Sequence, residues 1–149
     1  STRKIIQNVL TINSFFKKKL KRKPIFAITG LNPHCETNKK ISEEKKIIIP
    51  AINKLKKKNI KIDGPFPADT LFLKNNIKKF NIVIGMYHDQ VLTPIKTLHE
   101  FNAINVTLGL PFLRMTPDHG PNNSMLGKNK SNPASLIEVF KFLNQIRGN

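Results

Sequence analysis

Two histidines stand where chemistry can gather. His34 follows the apolar run Ile25-Phe26-Ala27-Ile28-Thr29 and the break at Gly30, and His88 follows Asn81-Ile82-Val83-Ile84-Gly85-Met86. Each sits in a polar loop and lacks a ligand-type partner four residues away, so this is not a helical zinc signature. Each taken singly reads as a surface residue, but two imidazoles just beyond the ends of two strands can meet at one metal. His99, beside Glu100, reads as surface. Lys96, Asn105 and Arg114 then follow at intervals of nine residues. Two fixed cations and an amide suit a phosphorylated substrate, because Arg grips two phosphate oxygens at once. Lys96 is also one lysine among 22, whereas Arg114 is one of only four arginines. Neither Gly-x-Gly-x-x-Gly nor Gly-x-x-x-x-Gly-Lys-Ser/Thr occurs, which removes both standard nucleotide loops. Cys35, next to His34, is a candidate thiol nucleophile but reads more readily as filler.

The elements that must position these groups follow from periodicity. Ile5, Ile6, Val9, Leu10, Ile12, Phe16 and Leu20 recur at helical spacing, and a basic cluster before Pro24 closes that helix. The run 25–29 reads as a buried strand. Ser42 with Glu43 and Glu44 marks an N-cap for a second helix whose apolar face is Ile47, Ile48, Ala51, Ile52 and Leu55, with Pro50 kinking or dividing it. Ile60-Lys61-Ile62 reads as a brief strand, Gly64-Pro65-Phe66-Pro67 as a stiff turn, and 81–86 as a third strand. A helix is expected from Tyr87 through Lys96 and a fourth strand at Ile104-Asn105-Val106-Thr107. A Gly, Asn and Pro-rich loop follows from Pro117 to Pro133, and a last helix spans Ser135 to Ile146. Strands alternating with helices imply an α/β fold, a largely parallel sheet flanked by helices, and residues 1–149 read as one such region. In such sheets ligands collect beyond the carboxyl ends of the strands, where His34 and His88 lie.

Composition bounds the rest. The 149 residues carry 26 Lys+Arg against 9 Asp+Glu, a net charge of +17, with one Cys. One domain fits that length, and a single thiol excludes an intramolecular disulfide framework. No apolar run approaches the roughly 18 residues of a spanning helix, so a soluble, cytoplasmic protein without a membrane partner is expected. The charge invites a nucleic-acid reading, but lysines dominate where base and phosphate recognition favour Arg. Lys, Asn and Ile together supply 58 residues, as A+T-rich codons would. Lys17-Lys18-Lys19 and Lys56-Lys57-Lys58 are therefore read as solvated helix ends, with a polyanion contact as the alternative.

Five strings resemble a known family. Gly30-Leu31-Asn32-Pro33-His34, Gly64-Pro65-Phe66-Pro67-Ala68-Asp69-Thr70, Met86-Tyr87-His88-Asp89-Gln90, the stretch from Asn105 to Arg114, and Asp118-His119-Gly120 look like the signatures of 4-hydroxythreonine-4-phosphate dehydrogenase. The resemblance covers the C-terminal half of the family's usual length, with the N-terminal half absent. It implies an isocitrate and isopropylmalate dehydrogenase-like fold. It further implies metal-dependent oxidation and decarboxylation of 4-phosphohydroxy-L-threonine to 3-amino-2-oxopropyl phosphate in pyridoxal 5'-phosphate (vitamin B6) biosynthesis. The implied cofactors are NAD or NADP and a divalent metal cation (Zn, Mg or Co) held by three histidines. By the same resemblance His34 and His88 match metal ligands, and Lys96, Asn105 and Arg114 match substrate contacts. Asp69 would serve proton transfer or support of the metal ligands. His119, Gly120 and Asn132 are cofactor candidates. A homodimer sharing the metal site is implied, with no nucleic-acid partner.

The sequence also departs from the family. Cys35-Glu36-Thr37 replace small residues, Pro121-Asn122 replace the pair that usually follows Asp-His-Gly, and Val91 stands where Gly is frequent. The third histidine belongs to the family's other half, and the chain starts without Met, as a processed protein or a piece of a longer one would. The alternative is a catalytically inactive remnant or a basic binding module. For the isolated chain, exposed apolar faces predict oligomerisation or poor solubility.

Overall fold

The computed structural model describes residues 1–36, 42–120 and 123–148. Helix α1 spans Thr2–Lys19 and ends in Lys17, Lys18 and Lys19, cations that complement the carboxyl end of the helix dipole. Strand β1, Phe26–Thr29, is buried at all four positions, which is why its sequence is a continuous apolar run and not an alternating one. Ser42 caps the next helix as expected, its Oγ accepting the Lys45 N–H at 3.3 Å. That helix opens as a π-helical turn, Glu44–Ile48, before α2, Ile49–Lys56. Pro50 divides it: proline offers no N–H to the carbonyl one turn back, and the wider turn relieves the clash of its ring.

Strand β2 is Ile62–Phe66, so Gly64-Pro65-Phe66 belong to a strand and not to the expected turn. The sheet order β2-β1-β3 makes β2 an edge, where a proline without an N–H is tolerated. Its register against β1 shifts between Ala27 and Thr29. Gly64 lies at φ +136°, and a Cβ there would strike the Ile28 carbonyl, so the close approach of the two strands requires glycine. Short helices α3 (Ala68–Leu71) and α4 (Lys74–Ile77) lead to β3, Ile82–Ile84, and both sheet pairings are parallel. Helices α1 and α2 close one apolar core over this sheet, centred on Val9, Phe26, Ile28, Ile48, Leu55 and Ile62.

Helix α5, Asp89–His99, runs three residues past the expected Lys96. Strand β4, Ile104–Thr107, does not extend the parallel sheet. It pairs antiparallel with β5, Arg114–Pro117, a strand that spans the expected break and the start of the expected loop. Gly109, at φ +94°, turns the connecting segment, so the Gly-Leu-Pro break is a hairpin loop between two strands. Helix α6, Ala134–Arg147, packs on this hairpin. The architecture is α/β, with a parallel sheet flanked by helices and an added antiparallel pair. Among the described residues no helix is long and apolar enough to cross a membrane.

Candidate active site

The parallel pairing of β1 and β3 brings the loops that follow them to the same edge of the sheet, with His34 in one and His88 in the other. Both side chains are exposed. The His34 loop is set by its own sequence: Asn32 Oδ1 accepts the His34 N–H at 3.0 Å, the turn geometry for which Asn is suited. Behind it lies Glu44, only 1 % exposed, whose Oε1 accepts the Asn32 N–H at 2.7 Å and whose Oε2 accepts from Ser42 Oγ at 2.9 Å. Burial pushes the Glu44 carboxyl up, but these hydrogen bonds outweigh it and hold the group below its ordinary value. A Cβ on Gly30 would collide with the Cys35 sulfur and crowd Glu44, so glycine lets the loop fold back on itself. The Cys35 thiol is pushed up by burial, with Glu44 and Asp69 adding to the effect, the opposite of an activated nucleophile and in line with its filler reading.

Gln90 joins the two loops. It is 7 % exposed, and its Oε1 accepts from Thr29 Oγ1 at 2.7 Å and from the Met86 N–H at 2.8 Å, while its Nε2 donates to the Gly30 carbonyl at 2.7 Å. One amide thereby fixes the ends of β1 and β3 relative to each other, immediately beside His88. Thr29 Oγ1 also lies 3.3 Å from the Ile84 carbonyl. His88 Nδ1 lies 2.6 Å from Asp89 Oδ1, a contact that orients the ring. Val91, the departure from glycine, packs its methyls where a Cβ on Gly85 would stand.

Asp69 is exposed in the first turn of α3, its Oδ1 accepting the Thr70 N–H at 2.8 Å. With Asp89, Tyr87, Thr93 and Leu98 it lines a groove of about 460 Å³ between α3 and α5. A chemically matched donor set for a metal is present in part, as two accessible imidazoles, one backed by a carboxylate. Among the described residues no three His, Cys, Asp or Glu side chains converge as a metal-binding group.

The remaining candidates lie on the hairpin side. Lys96 Nζ pairs with Asp118 Oδ2 at 3.1 Å, joining α5 to the segment after β5. Asp118 is held a second time, its N–H donating to Ser135 Oγ at 3.0 Å, and Ser135 in turn donates to the Ala103 carbonyl. Asn105 and Arg114 occupy facing strands, and Arg114 Nη1 donates to Thr107 Oγ1 at 3.0 Å. His119 is exposed, with Nδ1 3.3 Å from the Gly120 carbonyl, and among the described residues nothing lies within 4 Å of where a Cβ on Gly120 would stand. Asn132 Oδ1 accepts the Ala134 N–H at 2.9 Å and so finishes the start of α6. Thr37, Pro121 and Asn122 lie outside the described residues. Sequence reasoning gave Gln90, Glu44, Asp118 and Ser135 no role at the site. Polar residues that break an apolar context next to a candidate ligand were the available signal.

The family profile described as pyridoxal phosphate biosynthetic protein PdxA matches residues 1–143. The 4-hydroxythreonine-4-phosphate dehydrogenase of Sulfurihydrogenibium sp. (strain YO3AOP1) is 48 % identical over 140 residues, spanning 93 % of this chain and 43 % of its own length. A crystal structure of 4-hydroxythreonine-4-phosphate dehydrogenase from Burkholderia phymatum superposes with a TM-score of 0.76 at 32 % identity, covering 95 % of this chain and 44 % of that one. The Klebsiella pneumoniae enzyme of the same name gives 0.79 at 28 % identity, covering 98 % and 45 %. The chain thus spans less than half the length of these relatives.

Proposed function

The chain belongs to the pyridoxal phosphate biosynthetic protein PdxA family, and from that premise we propose that it supplies part of the active site of a metal-dependent 4-hydroxythreonine-4-phosphate dehydrogenase. The observation that carries the reading is that His34 and His88 lie in the loops following two neighbouring parallel strands, whose ends Gln90 joins. The reaction is oxidation of 4-phosphohydroxy-L-threonine at its secondary hydroxyl, giving a β-keto acid that loses carbon dioxide to leave 3-amino-2-oxopropyl phosphate. The bound groups supply polarisation of that hydroxyl by a divalent cation (Zn, Mg or Co) and acceptance of a hydride by NAD or NADP.

The chain's own residues do the rest. His34 and His88 would hold the cation through their imidazoles, with Asp89 fixing the ring of His88. Further ligands come from residues that the longer relatives carry elsewhere or from a second copy, in a cytoplasmic homodimer that shares the site. Arg114 clamps the substrate phosphate, and Lys96 and Asn105 add a charge and an amide. The Lys96 ammonium keeps donors to spare while one is engaged by Asp118. Asp69, at the rim of the groove, takes or returns a proton. His119 and Gly120 contact the dinucleotide, Gly120 by leaving its backbone open to close approach, and Asn132 supports that loop from the start of α6.

The test pairs this chain with the N-terminal half of the Sulfurihydrogenibium relative and compares wild type with His34→Ala and His88→Ala. Both side chains are exposed, so the variants fold, bind the divalent cation more weakly by about tenfold or more, and lose turnover. Unchanged metal affinity and turnover would overturn the assignment.

A further inference from the structure

The amino-terminal edge of the parallel sheet, opposite His34 and His88, gathers charge that the sequence scatters. Segments 17–23, 56–61 and 78–79 lead into β1, β2 and β3 respectively. These 15 residues hold 12 of the chain's 26 Lys+Arg and no Asp or Glu. All 12 cations are exposed. The strands hold the segments side by side: the Phe26 N–H donates to the Lys61 carbonyl at 2.9 Å, and the Asn81 N–H to the Ile25 carbonyl at 2.9 Å. The nearest acid in the chain, Asp63, pairs with Lys56 at 2.8 Å. Codon bias explains why these cations are lysines and helix dipoles explain Lys17, Lys18 and Lys19. Neither accounts for Lys21, Arg22, Lys23, Lys61 and the 78–79 pair, which lie beyond the helix ends.

Within this face is a cavity of about 450 Å³ lined by Phe16, Arg22, Lys23, Pro24 and Asn81. Phe16 is only half-buried, and Asn81 commits its Oδ1 to the Ile25 N–H at 2.9 Å, which leaves its amide nitrogen as a donor. An apolar ring, a guanidinium and an amide donor in one hollow, ringed by cations, are the parts of a site that stacks a base and tracks phosphates. Lys lacks the Arg fork that grips phosphates and reads bases, but as a point charge it still neutralises phosphates, which fits binding without sequence preference. We propose that this edge binds single-stranded nucleic acid without sequence preference, a base entering the hollow beside Phe16 and the backbone crossing the lysines. The proposal is independent of the dehydrogenase reading, since it uses the other end of the strands.

The experiment is fluorescence anisotropy of the 149-residue chain with a labelled oligo(dT) of about 12 nucleotides. Neutralising four phosphates gives a slope of about −2.8 in log K against log salt, roughly a 50-fold loss between 50 and 200 mM. Lys18→Gln, Lys19→Gln, Arg22→Gln and Lys23→Gln combined weaken binding by about tenfold or more. The same charge loss placed elsewhere, Lys4→Gln, Lys45→Gln, Lys128→Gln and Lys130→Gln, changes it by less than about twofold. Circular dichroism confirms that both variants fold. Equal weakening by the two sets would show that net charge alone is at work and would overturn the proposal. So would no binding at low salt, tighter binding to a duplex of equal length, or binding to phosphatidylserine vesicles and not to the oligonucleotide.

Discussion

The face of the parallel sheet covered by α1 and α2 closes a core of its own, and the hairpin region does not. Val9, Phe26, Ala27, Ile28 and Leu55 are fully buried, whereas Phe140 on α6 is 58 % exposed, Phe112 at the hairpin tip 64 %, and Leu126 beyond β5 74 %. Helix α6 keeps only Ser135, Val139 and Ile146 buried. A two-stranded sheet is marginal without further cover, and among the described residues β4 and β5 pack mainly on α6. The candidate site divides along the same line. His34 and His88 stand on the closed framework, while Asn105, Arg114, His119 and Asn132 stand on the open one. Lys96 with Asp118 is an ion pair that spans the two. The difference teaches that the metal-binding candidates follow strands set in a closed core, and that the substrate and cofactor candidates stand on a hairpin packed mainly on α6.

The comparison breaks most visibly in the cores. Phe26→Ala is expected to cost about 3–5 kcal/mol, because it opens a cavity in the closed core. Phe140→Ala is expected to change stability by no more than about 0.5 kcal/mol in the chain alone. Urea denaturation measures both, and similar losses would erase the distinction. No larger in its centre of range, and confined to the site, is the effect of Gln90→Leu. It strands the Gly30 carbonyl and the Met86 N–H, each about 1–3 kcal/mol if left unsatisfied. The Met86 amide then exchanges hydrogen faster than amides on α6, whereas uniform acceleration over the chain would mean that Gln90 carries general stability and not the junction of the two loops.

The smallest effect is a pH dependence on the closed side. Hydrogen bonds hold the folded Glu44 carboxyl below its unfolded value, so its ionised form stabilises the fold at neutral pH. That contribution begins to fade as the pH falls past the ordinary glutamate value of about 4.3 and is gone below the lowered folded one. Glu44→Gln lacks it, so wild type loses more stability than the variant between pH 6 and pH 3, as followed by thermal melts. Parallel curves would remove Glu44 from the account.

What the sequence disclosed follows the same division. Strand β1, the α1 face and the division at Pro50 were legible because burial on a closed core imposes periodicity, and proline acts locally. The strand through Gly64-Pro65 was not, since only its place at the edge of the sheet lets a proline pair there. Strand β5 was hidden because Gly109 and Pro111 read as a break when they are the turn of a hairpin, and pairing partners are decided by tertiary contact. The exposed ligand candidates were legible from their loops. Gln90 and Glu44 were not, because the worth of a buried polar group lies in partners 12 or 60 residues away.

The most direct measurement is NADH formation from 4-phosphohydroxy-L-threonine with an added divalent cation, using this chain alone, the N-terminal half of the Sulfurihydrogenibium relative alone, and the two mixed. The account predicts activity that requires this chain together with the other half and disappears with chelator. No activity in the mixture, with association of the two shown by sedimentation and substrate and metal in excess, would contradict the claim that His34, His88 and the groups around them form part of a working dehydrogenase site.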